Sequence, residues 1–554
     1  MKIVGVLAAA VLLVGSLQLT RSGYSVDEEF TVFAVRGIAT YGLPVLPSGL
    51  LYDRGIAYSY AAWLGGAITG SELPAFRAIS LIAAACSVFL TFLLVRRIAN
   101  EMAASVASLF IALSVPFWAT ATSARFYAPF LATYLLTVMC FTHRHWWLLM
   151  IAAAAAARLT HELAFTLAVI PVVCWLLDRN DRRRWTYAVL SVAAGLVIGQ
   201  AILFALHASV PSNGETMVRR FFLWQVLNLF EIPGDRQFMI PLVVMAIAWI
   251  AAPKRAWFVS VVSLSMAAMI LAYSIARATN GAPLSRELVQ SVLVEGSRYP
   301  LDMSWHIARA MPLTLLLTAA GLIARVSGLA GEWRPGARAI HGLWIGWGLW
   351  FGVIESGITT NYLLMPITFM LAAIAIDASV LLRRGRVAAL AIVLMIVAFD
   401  QWGSSPIQRL EAARPTIRVE GIDEIRAGLQ PSDRVACTDE LGCLMLVGRI
   451  DRWLALDDYV RERFLVRRGD GPVSGVYTGV PAVFRPTELF APNPDGTLPD
   501  RVVIVDIFKA YPIGNSRFWL PKAIEEDGLQ VTPLLETPQM RVLQVSPPER
   551  VARR

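Results

Sequence analysis

Residues 3–29 read IVGVLAAAVLLVGSLQLTRSGYSVDEE and join a long apolar segment to a cluster of acidic residues. The segment from Ile3 to Leu19 is uncharged, with Lys2 before it and Arg21 after it, so it fits either a signal peptide or a first membrane-spanning helix. No small-residue cleavage pattern follows it. We therefore expect a retained helix that places the VDEE motif, residues 26–29, just outside a membrane.

The whole chain has the composition of a membrane protein. Of its 554 residues, 56% are hydrophobic and 16% charged, whereas charged residues make up about a quarter of soluble domains. Apolar runs long enough for about thirteen spans follow one another. With the first at Ile3, they begin near Ala78, Met102, Phe126, Trp146, Leu163, Trp185, Phe238, Ala256, Met311, Ala339, Tyr362 and Val387. This pattern predicts a polytopic α-helical membrane protein.

The positive charge is concentrated in short loops between the apolar runs. The formal net charge is +9, yet from Gln401 onward the chain holds 20 Lys and Arg against 21 Asp and Glu. Short basic loops face the cytoplasm in membrane proteins, so the charge does not indicate nucleic-acid binding. With the N-terminus inside, the basic loops fall in the cytoplasm, and the segments that hold VDEE, Arg125 and His161 fall on the outer face. The basic loops are Arg96-Arg97, Arg182-Arg183-Arg184, Lys254-Arg255 and Arg383-Arg384-Arg386.

The chain divides into a membrane part, residues 1–402, and a polar part, residues 403–554. In the first outer loop, residues 26–77, the segments Phe30 to Thr40 and Ala57 to Gly70 have helical spacing but are too short to span, so we expect helices along the membrane surface. The polar part has a helix-like segment near Gly421 to Leu429 and the strand-like runs RVAC, RVVIVDIF and MRVLQV. It predicts a compact α/β domain outside the membrane.

The cysteines fall into two groups. Cys86, Cys140 and Cys174 lie in apolar stretches, where a small buried hydrophobic role is expected. Cys437 and Cys443 lie six positions apart in the outer domain, so a disulfide and two free thiols are equally compatible with the sequence.

Residues 25–77, SVDEEFTVFAVRGIATYGLPVLPSGLLYDRGIAYSYAAWLGGAITGSELPAFR, resemble the first outer loop of GT-C glycosyltransferases. They are most similar to the family 39 protein mannosyltransferases and the related aminoarabinose transferases. The resemblance rests on an Asp-Glu pair, an amphipathic helix, a turn, a basic residue and a Tyr-rich segment in this order. Where the family often has Lys before two prolines, this chain has Arg54-Gly55-Ile56. The other elements are Asp27-Glu28, Phe30 to Thr40, Tyr41-Gly42-Leu43-Pro44, and Tyr58 with Tyr60.

This resemblance implies an inverting glycosyltransferase of the bacterial inner membrane. Such an enzyme moves a sugar from a polyprenyl phosphate to an acceptor hydroxyl on the periplasmic face, with Asp27 as base. A carboxylate just outside a membrane helix is suited to accept that proton; its alternative is a solvated interfacial acid. Glu28 would orient Asp27 or share Mg²⁺ or Mn²⁺ with it, although no third ligand is evident. Glu29 is expected to face water.

The leaving phosphate calls for cations, and Arg is suited to bind it with two donors. Arg54 and Arg125 are the predicted donor-phosphate ligands; Arg125 fits equally a snorkelling residue at a helix end. Glu162 and His161 are predicted to bind substrate, or else to form a mutually satisfied set with Arg158. Further predicted substrate contacts are Tyr58, Arg298 and Tyr362, of which Tyr362 also fits an interfacial packing role.

Two other functions suit many helices with charged ends: a transporter or lipid-linked glycan flippase, and a non-catalytic scaffold for polysaccharide assembly. The near absence of ionisable residues in the apolar cores and of a repeat of two halves argues against a transporter. No P-loop or dinucleotide fingerprint occurs, so a nucleotide-sugar donor is unsupported. The sequence leaves the sugar open, and the acceptor is a glycan, a lipid or a protein.

Overall fold

The computed structural model describes three parts of the chain. The first is residues 2–209 except 22, 26, 144 and 178–180. The second comprises 311–326, 339–347, 363–383 and 387–403, with isolated positions between 245 and 268 and at 410. The third is 416–547 except 418–420, 457–463, 468–470, 494–495 and 508–515.

The membrane part is built of helices, as the apolar runs predict. The two surface helices expected in the first outer loop are present, α2 from Glu28 to Tyr41 and α3 from Ile56 to Thr69. Each ends where Gly42 or Gly70 adopts the left-handed backbone that favours glycine. The other helices are α1 Lys2–Ser16, α4 Leu73–Ile98, α5 Glu101–Ala112, α6 Val115–Ala121, α7 Tyr127–Cys140, α8 Trp147–Thr160, α9 Thr166–Leu177, α10 Arg182–Ala208, α11 Pro312–Val326, α12 Leu364–Arg383 and α13 Val387–Trp402, with a 3₁₀ turn at Glu162–Phe165.

Two of the described helices, α4 and α10, are long and apolar enough to cross a membrane by themselves. Helices α5 and α6 add a third span if they are counted as one, since they meet at a bend of 65°. The runs predicted near Phe238 and Ala256 lie mostly outside the described residues. The total of about thirteen spans therefore stays a prediction.

The C-terminal part contains the expected sheet. Six strands lie in the order β7, β4, β3, β8, β10, β9. The first four pair in parallel, and β10 pairs antiparallel with both of its neighbours, β8 and β9. The runs RVAC, RVVIVDIF and MRVLQV form β3, β8 and β10, and the predicted helix is α14, Ile422–Gly428. The bounds are β3 Arg434–Cys437, β4 Arg452–Leu454, β5 Leu465–Arg467, β6 Val473–Gly475, β7 Ala482–Val483, β8 Val502–Ile507, β9 Gln530–Glu536 and β10 Met540–Ser546, with α15 Glu440–Val447, α16 Ser516–Glu526 and a 3₁₀ turn at Pro486–Phe490.

This C-terminal domain is docked on the first outer loop. Strand β1, Tyr24–Ser25, pairs antiparallel with β2, Thr416–Ile417. Tyr24 is fully buried in the hydrophobic core of the C-terminal domain, while Leu441 and Val476 of that domain belong to the main hydrophobic core of the membrane part. The segment that leads to Asp27 is thus held between the two parts.

Cys437 and Cys443 form a disulfide that ties the end of β3 to α15. Their sulfur atoms lie in the same hydrophobic core as Tyr24. Of the two alternatives left by the sequence, the structure has the disulfide.

Candidate active site

Asp27 has a backbone that side chains rarely adopt. It precedes α2 with φ 73° and ψ −2°, and among the described residues it is the one non-glycine residue with positive φ. This left-handed conformation costs on the order of 1 kcal/mol for a residue with a Cβ atom, and such strain concentrates at functional sites. The side chain is 24% exposed, so its carboxylate is accessible.

The neighbouring Glu28 is fully buried and holds this turn in place. Its Oε1 accepts from Arg77 Nε at 3.0 Å, Arg21 Nη2 at 3.3 Å and the Ala124 amide at 2.6 Å. Its Oε2 accepts from Arg77 Nη2 and from the Ser25 amide, both at 2.7 Å. Burial alone would raise the pKa of the Glu28 carboxyl, but Arg77, Arg21 and the Ala124 amide outweigh it and hold that pKa below its usual range.

Arg77 was not singled out from the sequence, although a charged residue within an apolar helix is a signal of function or pairing. Besides Glu28 it binds the backbone of the preceding segment, donating to the carbonyls of Leu19 at 3.1 Å, Arg21 at 3.2 Å and Gly23 at 2.9 Å. Arg77 therefore fixes Leu19, Arg21, Gly23 and Glu28 to α4.

The predicted metal site on Asp27 and Glu28 does not fit these contacts. Both oxygens of Glu28 already accept from cations and amides, and the Arg77 guanidinium beside them would repel a divalent cation. Within the described ranges, no group of three or more His, Cys, Asp or Glu residues is placed to hold a metal ion. We accordingly assign Glu28 to positioning Asp27.

The expectation that Glu29 faces water is wrong. Glu29 is fully buried, because α2 packs against α15 of the C-terminal domain. Tyr24 lies nearby: burial, and then the negative charges of Glu29 and Asp439, raise the pKa of the Tyr24 hydroxyl.

Arg125 lies beside Asp27, as the predicted site requires. Its Nη2 is 4.0 Å from Asp27 Oδ2, and its Nη1 donates to the Asp27 carbonyl at 3.0 Å and to the Tyr52 hydroxyl at 2.8 Å. The guanidinium is buried and lies 4.7 Å from the centre of the Phe126 ring. Arg125 is thus part of the packed interior next to Asp27, which rules out a snorkelling role at a helix end.

Arg54, the other predicted phosphate ligand, forms an ion pair with Glu162. Arg54 Nη2 lies 3.0 Å from Glu162 Oε1, and both side chains keep some exposure, 18% and 17%. Two predicted site residues from distant parts of the sequence therefore meet. Arg158 is not their partner, since it donates to Gln200 Oε1 at 3.0 Å and 2.7 Å.

His161 is buried and uncharged. Its Nδ1 accepts from the Leu163 amide at 3.1 Å, and its ring centre lies 5.1 Å from that of Phe126 and 5.0 Å from that of Phe130. Burial lowers the pKa of His161 to about 4; Glu162 opposes this shift, and Arg54, Arg158 and Arg125 add to it. A neutral imidazole with Nδ1 occupied contributes no charge to phosphate binding.

Tyr58 is buried, and its hydroxyl donates to the Phe76 carbonyl at 2.9 Å and accepts from Ser80 at 3.1 Å. These contacts reassign it from substrate binding to packing beneath the site. Arg298 and Tyr362, the remaining predicted substrate contacts, lie outside the described residues.

A buried pair next to Arg54 was missed by the sequence reading. Asp53 Oδ2 lies 3.3 Å from His207 Nε2, and His207 Nδ1 lies 2.8 Å from the Leu203 carbonyl, to which it must donate. Burial, opposed by His207, raises the pKa of Asp53. With Nδ1 directed to the Leu203 carbonyl, His207 turns Nε2 toward the Asp53 carboxyl.

Comparisons with known proteins bear on the fold that holds these residues. Residues 53–207 match the family model for dolichyl-phosphate-mannose-protein mannosyltransferase. No curated protein matches the chain.

Among solved structures, the oligosaccharyltransferase of Archaeoglobus fulgidus in complex with zinc and sulfate has a TM-score of 0.52 at 11% identity, covering 90% of this chain and 68% of that one. The same protein tethered with an acceptor peptide has a TM-score of 0.51 at 11% identity, covering 90% and 69%. ArnT from Cupriavidus metallidurans bound to undecaprenyl phosphate is 16% identical over 97% of both chains, with a TM-score of 0.49. The resemblance to the protein mannosyltransferases is confirmed over residues 53–207, and the chain shares the fold of the Archaeoglobus fulgidus oligosaccharyltransferase over 90% of its length.

Proposed function

We propose that the chain transfers a sugar from a polyprenyl-phosphate donor to an acceptor hydroxyl on the periplasmic face of the bacterial inner membrane. The observation that carries this proposal is the strained, accessible Asp27 beside buried Arg125. The match of residues 53–207 to a family named for a dolichyl-phosphate-mannose donor supports the donor class.

In the proposed reaction, Asp27 accepts the proton of the acceptor hydroxyl. The acceptor oxygen forms a bond to C1 of the sugar while the bond from C1 to the phosphate oxygen breaks, and that electron pair leaves with the polyprenyl phosphate. One displacement of this kind inverts the configuration at C1. A positioned general base of this type contributes about 10²- to 10⁴-fold to the rate.

Arg54 is the proposed ligand of the leaving phosphate. The Arg54 guanidinium is paired with the Glu162 carboxylate, and the donor phosphate would take the place of that carboxylate as the partner of Arg54. Arg125 is already engaged with Tyr52 and the Asp27 carbonyl, so its proposed part is to hold Asp27 and to add positive charge beside the reacting atoms.

The test is Asp27→Asn in the purified full chain. Asn tolerates the left-handed backbone that Asp27 has, so this variant removes the basic carboxylate without adding strain. With radiolabelled undecaprenyl-phosphate mannose or arabinose as donor, we expect release of the lipid phosphate to fall at least about 100-fold. The melting temperature should stay that of the wild type.

Two results would contradict the proposed transfer. The first is equal donor cleavage by wild type and Asp27→Asn, which would leave a flippase or scaffold as the better description. The second is a product whose anomeric configuration, measured by NMR, matches that of the donor, because a single displacement cannot retain it.

A further inference from the structure

Three aromatic side chains lie together where the C-terminal domain meets α2. Phe30 lies in the first turn of α2, three positions after Asp27. Tyr477 of the C-terminal domain packs against Phe30 with ring centres 4.8 Å apart and planes at 87°. Phe464 lies 5.6 Å from Tyr477. We call Phe30, Tyr477 and Phe464 the aromatic shelf.

The aromatic shelf borders the proposed base. Tyr52 stacks on Phe30 at 5.5 Å, and its hydroxyl accepts from Arg125. The Arg125 guanidinium lies 6.0 Å from the centre of the Phe30 ring, and its Nη2 lies 4.0 Å from Asp27 Oδ2. Phe30 and the buried Arg125 therefore connect the half-buried Tyr477 to the accessible carboxylate of Asp27.

The backbone at Tyr477 is fixed before any ligand binds. The Ser48 amide donates to the Tyr477 carbonyl at 3.0 Å, and the Ser48 hydroxyl donates to the Val476 carbonyl at 2.7 Å. On the other side, the Thr478 amide donates to Glu440 Oε2 at 3.1 Å. The side chains of Tyr477 and Phe464 nevertheless remain only half-buried. A rigid, accessible aromatic surface of this kind binds with little loss of conformational entropy.

A sugar ring has an apolar face that suits the aromatic rings and hydroxyls that suit the carboxylate of Asp27. Its C–H face packs on an aromatic ring, and its hydroxyl rim donates to a carboxylate such as that of Asp27. A lone Ser or Thr hydroxyl lacks the face, and a lipid tail lacks the hydroxyls. Given the proposed transfer, we infer that the acceptor is a carbohydrate, whose ring packs on Tyr477 and Phe464 and presents a hydroxyl to Asp27.

The experiment compares acceptor kinetics in variants of the full chain. Octyl glycosides of mannose, glucose and arabinose serve as acceptors, a Thr-containing peptide competes with them, and undecaprenyl-phosphate mannose or arabinose is the donor. Tyr477→Ala should raise the acceptor KM about tenfold, the equivalent of about 1.4 kcal/mol, and leave kcat and donor hydrolysis by water near wild type. Tyr477→Phe keeps the ring and should keep the KM. Phe490→Ala removes a half-buried aromatic of the same domain that packs in a different core, and should change neither.

The proposed function is tested separately, by whether donor cleavage depends on Asp27. The results that would contradict the carbohydrate inference concern the acceptor only. Transfer to the peptide but to none of the glycosides would overturn the carbohydrate inference, as would failure of every glycoside to accept. An unchanged acceptor KM in Tyr477→Ala, or a loss of kcat alone, would show that Tyr477 only joins the two domains.

Discussion

Arg54 already has an anionic partner where the donor phosphate is proposed to bind. Glu162 Oε1 lies 3.0 Å from Arg54 Nη2, and Arg158 is engaged with Gln200. A phosphate must therefore compete with a carboxylate that belongs to the chain itself, and the pair sets the affinity for the donor.

Removing that carboxylate should strengthen donor binding. We expect Glu162→Gln to bind undecaprenyl phosphate about tenfold more tightly, because 1.4 kcal/mol of competition corresponds to a factor of ten. Arg54→Gln should bind it more weakly, and Glu72→Gln, which alters an exposed carboxylate of the same loop, should bind it as wild type does. Titration calorimetry in detergent measures all three. Weaker binding by Glu162→Gln would instead place Glu162 in the binding surface.

The acidic motif, residues 26–29, shows which properties of single residues can be predicted from the sequence and which cannot. Its order of elements marked Asp27 correctly as a residue at a helix start outside the apolar segment. The burial and pairing of Glu28 and Glu29 depend on Arg77, on the Ala124 amide and on α15, which come from other parts of the chain. Helical periodicity contains no information on such contacts, so burial of Glu29 was not predictable from it.

At the scale of elements, two arginine–carboxylate pairs tie α2 to α4 and to Glu72, the residue before α4. The Arg77–Glu28 pair is buried, with side chains 1% and 0% exposed. The Arg36–Glu72 pair also has two hydrogen bonds, of 2.9 Å and 2.8 Å, but its side chains are about half exposed. Their geometry is alike and their environment differs, so the second pair is a matched control for the first.

Breaking the buried pair should destabilise the chain, because it leaves an uncompensated charge in the interior. We expect Arg77→Gln to cost about 3 kcal/mol and to lower donor cleavage, since the segment before α2 loses its attachment to α4. Arg36→Gln should cost less than about 1 kcal/mol, as exposed pairs do. Chemical unfolding of detergent-solubilised protein and the donor-cleavage assay measure the two effects.

The double variant Glu28→Gln/Arg77→Gln separates charge from packing. If the penalty is the unpaired charge, the double variant is more stable than Arg77→Gln alone. Equal losses of stability on breaking the buried and the exposed pair would contradict the assignment of Glu28 and Arg77 as the pair that holds the segment before α2 against α4.

Most elements were predictable because their signals are local. Apolar residues at helical spacing predicted α2 and α3, and the strand-like runs RVAC, RVVIVDIF and MRVLQV predicted β3, β8 and β10. The two-residue strands β1 and β2 were not predictable, because neither Tyr24–Ser25 nor Thr416–Ile417 is long enough to carry a strand pattern. It is this pairing of distant segments that joins the domain to the site.

At the scale of the whole molecule, the same docking restricts the membrane topology. The first outer loop binds the C-terminal domain through β1 and β2 and through Ser48 with Val476 and Tyr477. Both must lie on one side of the membrane, so the chain crosses it an even number of times between them. An odd total with one span before the loop satisfies this condition, and it does so independently of the basic-loop argument.

Single cysteines test that condition. In a background with Cys86, Cys140 and Cys174 changed to Ala and the Cys437–Cys443 disulfide kept, we would introduce Tyr41→Cys, Leu498→Cys and Ala99→Cys one at a time. Tyr41 and Leu498 are 71% and 65% exposed, and Ala99 follows the basic end of α4. A membrane-impermeant maleimide should label the first two in intact spheroplasts, and Ala99→Cys only after permeabilisation.

The pattern of labelling distinguishes two kinds of error. If Tyr41→Cys and Leu498→Cys label from opposite sides, the docking of the C-terminal domain on the first loop is wrong, and Tyr477 cannot lie beside the site. If both label only after permeabilisation, the docking holds but the site faces the cytoplasm. A lipid-linked donor would then have no advantage over a nucleotide sugar, because the cytoplasm supplies both, and the proposed donor class would lose its physical reason.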